Sequence, residues 1–263
     1  MQFLLELHPL LSFSIVTGVS ILVGLLGLSF VRKRFPVEHL KGHHEVGGII
    51  FNAFGVIYAV LVAFVVFAAW SAYDGTSKNL ELEVNKLASL FMDAGAFKEP
   101  TKRHVQETVA SYAQSVVKLE WPILAKGAKT ADEVREKLDA IWHAYVDVEM
   151  EQVRNPQMYQ EALQQLNAMA EFRRLRIFAS RANTPMVIWI VLIVGGLISV
   201  AYILFFGMER QRAQRFMISV YTTMNSMVLY LIFVLDHPFV GYNAISNDPF
   251  KAVLRGFERR LGQ

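Results

Sequence analysis

The sequence predicts an all-α, multipass membrane protein with four transmembrane helices in two pairs and a soluble helical bundle between the pairs. Of the 263 residues, 54% are hydrophobic and the mean hydropathy is +0.33, which is too apolar for an ordinary soluble domain. Four apolar runs each approach the ~20 residues that cross a bilayer. Residues 73–183 instead hold 15 of the 26 basic and 16 of the 23 acidic residues, and their apolar residues recur at helical spacing. No alternating strand pattern of useful length interrupts them.

The first pair of predicted spans lies within residues 1–72. The first apolar run, residues 10–31, ends at the basic cluster Arg32-Lys33-Arg34. Because no basic segment precedes it and no small-residue cleavage site follows it, we expect a retained membrane helix and not a signal peptide. Pro36 breaks the connector, and residues 47–70 form the second span without an ionised side chain.

One face of the second span carries a polar amide and small residues. Asn52, Gly55, Ala59 and Ala63 recur at steps of three or four and therefore share a helical face. Such a face is typical of helix packing inside a membrane bundle. Asn52 can line a pore or make an interhelical hydrogen bond, since a polar group in lipid must face protein or water.

The soluble bundle, residues 73–183, contains four predicted helices. The second is expected to stop at Trp121-Pro122, because proline does not continue a helix. Thr130-Ala131-Asp132-Glu133 is a capping box that opens the third, and Asn155-Pro156 ends it. The four apolar faces are formed by Leu80, Val84, Leu87, Phe91 and Ala94; by Val105, Val109, Tyr112, Val116 and Leu119; by Val134, Leu138, Ile141, Tyr145 and Val148; and by Tyr159, Leu163, Leu166 and Met169.

The second pair of spans lies within residues 184–241. Thr184-Pro185 is a helix start, with an N-cap hydroxyl followed by proline. Residues 185–206 form the third span and residues 216–235 the fourth. Asp236-His237 can hold a proton relay or an ion at the membrane edge. The simpler interpretation is that Asp236 is a helix-end anchor and that Pro238 terminates the helix. An amphipathic tail is expected within residues 242–263.

Charged residues outside the spans have two interpretations. Arg173, Arg174, Arg176 and Arg181 can attract anions to a vestibule mouth, or they can face lipid headgroups at a helix end. The carboxylates of residues 73–183 alternate with basic residues, which is typical of a solvated helix face.

Several functions are excluded or disfavoured by composition. The chain has no cysteine, so disulfides and thiolate catalysis are excluded. No nucleotide-binding, metalloprotease or nucleophile-elbow motif is present, so we expect neither an enzyme nor a cofactor. His43-His44-Glu45 are adjacent and do not share a helical face, so we expect no metal site. The net charge of +3 is not gathered into one patch, which argues against a nucleic-acid partner.

The charge pattern leaves the orientation open. The two short connectors carry seven basic residues and are expected to be cytoplasmic, which would leave the helical block outside. The ends of the block next to the spans are also basic, however. These positions are Lys78, Arg173, Arg174, Arg176 and Arg181.

Five short strings occur along the chain, and they are Asn52-x-x-Gly55, Glu120-Trp121-Pro122, the run from Arg173 to Arg176, Thr184-Pro185-x-x-x-Trp189 and Asp236-x-Pro238-Phe239-x-Gly241. In this order and spacing, they resemble the bestrophin-like family of bacterial membrane proteins over nearly the whole chain.

This family is distantly similar to true bestrophins, which are pentameric anion channels whose second helix lines a hydrophobic neck. The resemblance implies a pore helix at residues 47–70, with Ile50, Phe54 and Tyr58 at the neck, Asn52 nearby, and a place in the bacterial inner membrane. The chain departs from many bestrophins at Phe51, where those proteins have proline.

Two functions follow as expectations. Four spans without a wide polar face cannot enclose a conduit alone, so a channel requires a homo-oligomer, with a pentamer as the number that the resemblance implies. The alternative is a non-conducting scaffold or sensor in the lipid membrane, whose helical bundle binds another protein.

Overall fold

The computed structural model of the chain describes residues 2–36, 44–126, 132–208 and 210–262, without the side chains of residues 2 and 44–46. The all-α prediction is confirmed: in these ranges the only β pairing is an isolated bridge between Phe97 and Val153. Tertiary contacts divide the chain into a membrane unit, residues 1–71 and 183–236, and a helical unit, residues 72–182 and 237–263. The helices are α1 (Gln2–Glu6), α2 (Pro9–Arg34), α3 (His44–Asp93), α4 (Thr101–Ser115), α5 (Trp121–Ala125), α6 (Asp132–Val146), α7 (Pro156–Ala179), α8 (Met186–Leu204), α9 (Gln211–Leu235) and α10 (Asp248–Leu261).

The membrane unit contains the predicted spans. Helices α2, α8 and α9 and the first part of α3 are each long and apolar enough to cross a bilayer. Helix α2 packs closely on α9 at Gly24, where an added Cβ would lie 3.2 Å from Ile218 Cγ2 and from Thr222 Oγ1. The hydroxyls of Ser12 and Tyr230, 2.5 Å apart, join the same two helices by a hydrogen bond. Small residues thus let the two helices approach closely. Such packing matters in lipid, because the hydrophobic effect does not drive helices together there.

Helix α3 belongs to both units. Composition changes near residue 73, but the helix continues unbroken over its 50 residues because no proline interrupts it. The second span and the first predicted helix of the soluble block are therefore a single helix.

The core of the helical unit is built from the predicted apolar faces. Val105, Val109 and Tyr112 of α4 and Ile141 and Tyr145 of α6 are fully buried. The tail predicted in residues 242–263 forms α10, whose Phe257 stacks on Phe91 with ring centroids 4.1 Å apart. The tail is therefore part of this core.

Two predicted helix boundaries lie at Pro122 and at Thr130. The expected stop at Trp121-Pro122 is wrong: a π-helical turn, Val116–Glu120, leads directly into α5. Pro122 lies in the first turn of α5, a position of a helix that tolerates proline. Thr130 and Ala131 of the predicted capping box lie outside the described residues, and α6 begins at Asp132.

Candidate functional site

The first part of α3 differs from the other spans in burial. No residue in its most apolar 18-residue window is buried, whereas 22–28% of the corresponding windows of α2, α8 and α9 are buried. The exposed face is large and apolar. It includes Ile49, Ile50, Val56, Ile57, Val60, Phe64 and Phe67. Something outside the single chain must cover this face, and lipid or further copies can do so.

The predicted packing face of α3 lies on this open side. The side chain of Asn52 is exposed and has no hydrogen-bond partner among the described residues. A Cβ added at Gly55 would meet no atom within 4 Å, and Ala59 and Ala63 are exposed. Their role in helix packing stays a prediction, since the described residues contain no packing partner for this face.

The residues predicted for the neck fall into two groups. Ile50 is 56% exposed, and Asn52 is also exposed. Tyr58 is half-buried and turns toward α8 and α9, where its hydroxyl donates its proton to the Leu192 carbonyl at 2.9 Å and also lies 3.2 Å from Asn225 Oδ1. Phe54 is half-buried too and lies parallel to Tyr58, with ring centroids 6.2 Å apart. The neck assignment stays a prediction for all four residues.

Glycine makes room for the ring of Tyr58. A Cβ at Gly195 would lie 2.5 Å from Tyr58 Cε2, and a Cβ at Gly196 would lie 2.6 Å from Asn225 Nδ2. Nearer the start of the span, Tyr202 stacks on Phe51 and donates its hydroxyl proton to the Gly47 carbonyl at 2.8 Å. The side of α3 opposite its open face is therefore fixed by aromatic and polar contacts.

The helical unit contains a buried cluster of charges. Arg176 Nε donates to Glu83 Oε2 at 2.7 Å, and its Nη2 donates to Glu83 Oε1 at 3.0 Å and to Glu120 Oε2 at 2.8 Å. Arg173 Nη2 donates to Glu120 Oε1 at 2.6 Å, and the Tyr112 hydroxyl donates to Glu83 Oε1 at 3.3 Å. Two carboxylates and two guanidinium groups balance in charge. We call these five residues the buried charge cluster.

Aromatic rings and burial separate the cluster from water. The Trp121 and Phe250 rings lie 5.6 Å from the Arg176 guanidinium carbon. Burial alone lowers the pKa of Arg176, but the charges of Glu83 and Glu120 outweigh it and raise this pKa well above its usual value. Burial and then the charge of Glu83 raise the pKa of Tyr112, which therefore remains a proton donor.

This cluster corrects two expectations. Arg173 and Arg176 are buried ion-pair partners, so the anion-attracting or headgroup interpretation remains only for the exposed Arg174 and Arg181. Likewise, Glu83 and Glu120 are fully buried and do not belong to a solvated face.

The sequence carried a signal for Glu83. It lies three residues after Leu80 and four before Leu87, on the apolar face of its helix. Arg173 and Arg176 similarly follow Met169 at steps of four and seven.

Asp236 joins the two helices of the second pair. Its Oδ1 accepts hydrogen bonds from the Thr184 backbone N–H and from the Thr184 hydroxyl, both at 2.7 Å. Thr184 itself is not the N-cap of α8; Pro185 is. The residues considered for a metal, His43-His44-Glu45, lie outside the described residues or have undescribed side chains.

The fold and these sites define a class: a multipass α-helical membrane protein with a second helical unit that has its own core. A model of the Bestrophin-like domain matches residues 18–250, so the chain belongs to the bestrophin-like family and the resemblance in its sequence is confirmed. A comparison with curated protein sequences gave no match.

Solved structures share the fold. A crystal structure of a bacterial bestrophin homolog from Klebsiella pneumoniae, phased on zinc, superposes with a TM-score of 0.71 at 11% identity, covering 95% of this chain and 98% of the other. A mutant of that homolog gives a TM-score of 0.73 at 13% identity, with the same coverage. Identity at this level shows the fold alone.

Proposed function

We propose that this chain forms a homo-oligomeric membrane channel for anions, with the first part of α3 lining a hydrophobic neck. The proposal is supported by membership of the bestrophin-like family and by the fold shared with a bestrophin homolog. True bestrophins are anion channels, and their second span has the place in the chain that α3 has here.

The observation that carries the proposal is the open face of α3. It contains the exposed amide of Asn52 beside Gly55 and two alanines, and among the described residues nothing pairs with this amide or buries any residue of the apolar window. A polar amide facing acyl chains is unfavourable, so contact with other copies or with pore water is the better environment. Several copies around an axis would supply both.

Within the proposed neck, the exposed Ile50 is the strongest candidate for an apolar constriction that closes by dewetting. Phe54 lies at the edge of the open face, and Tyr58 holds the helix against α8 through its hydrogen bond. Asn52 is two residues from Ile50, and the two side chains therefore lie toward opposite edges of that face.

Anion flux from liposomes containing the purified protein tests conduction. We expect Ile50→Ala to change the flux severalfold, because it widens an apolar constriction. Ile190→Ala is the matched control, since Ile190 is 51% exposed on α8, a different span. If wild-type protein carries no flux, or if the two variants behave alike, the proposed neck is wrong.

Tyr58→Phe separates the two roles of Tyr58. It keeps the ring but removes the hydrogen bond to Leu192. If Tyr58 acts mainly by fixing α3, the variant lowers thermal stability and leaves ion selectivity unchanged. A change in selectivity without a loss of stability would place the hydroxyl in the conduction path.

The oligomeric state in mild detergent separates the channel from the scaffold alternative. We expect a closed ring that Gly55→Leu weakens, whereas Gly18→Leu, on α2, leaves it intact; both positions are open in the single chain. A monomer or dimer that copurifies with one stoichiometric protein would favour the scaffold.

A further inference from the structure

A cavity of about 630 Å³ opens at one end of the membrane unit. It lies between the start of α3, the end of α8 and the first half of α9. Its volume falls within the range of about 300–1,000 Å³ that is usual for small-ligand sites. The residues that line it are Phe51, Ile203, Phe206, Met208, Gln214, Phe216, Met217, Val220, Tyr221 and Met224.

The lining is apolar and adaptable. Three methionines contribute to it, and their flexible thioethers can fit an irregular apolar chain. Phe216, Met217 and Met224 of α9 are more than half exposed in the single chain. Because these residues belong to predicted spans, the open side of the cavity faces the hydrocarbon region of a bilayer.

A positive charge lies at the polar end of the cavity. Arg32 Nη2 donates to Gln214 Oε1 and to the Met208 carbonyl, both at 2.6 Å, and Gln214 Nε2 donates to the Phe206 carbonyl at 2.7 Å. Arg32 thus bonds to two neutral oxygens. Among the described residues it forms no ion pair with a carboxylate, so its charge is not balanced there.

Further cations lie at the same end of α9. Arg210, Arg212 and Arg215 are exposed and lie at the start of α9, the helix whose next turns line the cavity. Glu209, which precedes them in the chain, lies outside the described residues. Within the described part of the chain, none of the three is within ion-pair distance of an acidic side chain. An apolar cavity thus lies beside arginines that have no acidic partner among the described residues, at the end of a predicted span.

From this arrangement, we propose that the cavity binds an anionic phospholipid, with an acyl chain between Phe51 and Met224 and the phosphate near the arginines of α9. The chemistry matches at both ends, because the methionine-rich walls suit a flexible hydrocarbon chain and the guanidinium groups suit phosphate. A second copy of the chain would instead have to bring matching acidic groups against this rim. The site is independent of conduction.

Native mass spectrometry of the detergent-purified protein, titrated with dioleoyl phosphatidylglycerol or dioleoyl phosphatidylcholine, tests the site. We expect Met224→Trp to weaken phosphatidylglycerol binding at least tenfold, because the indole fills the cavity. Met227→Trp is the matched control: Met227 is also exposed on α9 but does not line the cavity. Circular dichroism confirms that both variants remain helical.

The headgroup contact has its own test. Replacing Arg210, Arg212 and Arg215 together by Gln should abolish the preference for phosphatidylglycerol over phosphatidylcholine and leave phosphatidylcholine binding unchanged. The control replaces three exposed basic residues of α10 by Gln and should keep the preference. These residues are Lys251, Arg255 and Arg259.

Three outcomes would overturn the proposal. The first is equal binding of the two lipids by wild-type protein, and the second is wild-type lipid binding by Met224→Trp. The third is a change of oligomeric state in Met224→Trp without a loss of bound lipid, which would identify a second copy as the occupant.

Discussion

Arg176→Met should destabilise the helical unit severely. The substitution keeps much of the side-chain volume but removes the fork that donates two hydrogen bonds to Glu83 and one to Glu120. Both carboxylates are fully buried, and among the described residues they would keep only Tyr112 and Arg173 as partners. Removing one partner of a buried ion pair typically costs about 3–5 kcal/mol.

This cost can be measured as a shift in melting temperature. At about 3 °C per kcal/mol for a unit of this size, thermal unfolding followed by circular dichroism should show a loss of about 10–15 °C. Trp121 gives a second, local signal in fluorescence, because its ring lies against the Arg176 guanidinium. Arg174→Met, an exposed position on the same helix, should stay within about 0.5 kcal/mol of the wild type.

A double-mutant cycle separates lost packing from lost pairing. Glu83→Gln removes the carboxylate charge that Arg176→Met leaves unpaired, so the double variant should lose about 0.5–3 kcal/mol less than the sum of the single variants. Additive losses, or an Arg176→Met variant that melts within about 2 °C of Arg174→Met, would refute the view that the cluster holds the unit together.

Three further predictions concern single sites. Burial, and then the charge of Glu161, raise the pKa of Asp93. The folded state therefore favours protonated Asp93, and this contribution to stability is lost as the pH rises from the pKa of a free aspartate through the raised pKa. Asp93→Asn should raise the melting temperature at pH 7, with a gain that shrinks as the pH falls toward about 4. Gly195→Ala should cost about 1–3 kcal/mol in detergent melts, because its Cβ would overlap the ring of Tyr58. Asp236→Ala should cost about 0.5–2 kcal/mol and raise hydrogen exchange at the start of α8, since it removes the acceptor of two hydrogen bonds there; unchanged exchange would contradict this.

Local features of the chain were predictable from the sequence. An apolar run long enough to span a bilayer, or an apolar face repeated every three to four residues, is a property of one helix read by itself. The spans and the buried faces of α4 and α6 were therefore predicted, and so was the role of Asp236 as an anchor. The stop at Pro122 was not, because a π-helical turn places this proline where a helix tolerates it.

The buried charge cluster depends on residues far apart in the chain. Glu83 and Arg176 are 93 positions apart, and their pairing is decided by how α3 and α7 pack in the helical unit. The place of each on an apolar helix face signals burial, but it does not show which charge pairs with which. Only the packed core shows that the two side chains lie in the same water-free space and must balance one another.

The sequence by itself determined that this is an α-helical membrane protein, because hydrophobic length and periodicity are local properties of the chain. The resemblance to the bestrophin-like family came from the order and spacing of short residue strings. The tertiary structure decided which sides of those helices meet. It placed Tyr58 against α8 and left Asn52 and Ile50 uncovered, although all three belong to the same apolar span. The direction in which a uniformly apolar helix turns is set by the shapes of its neighbours, here two glycines that admit a tyrosine ring, and not by its own hydrophobicity.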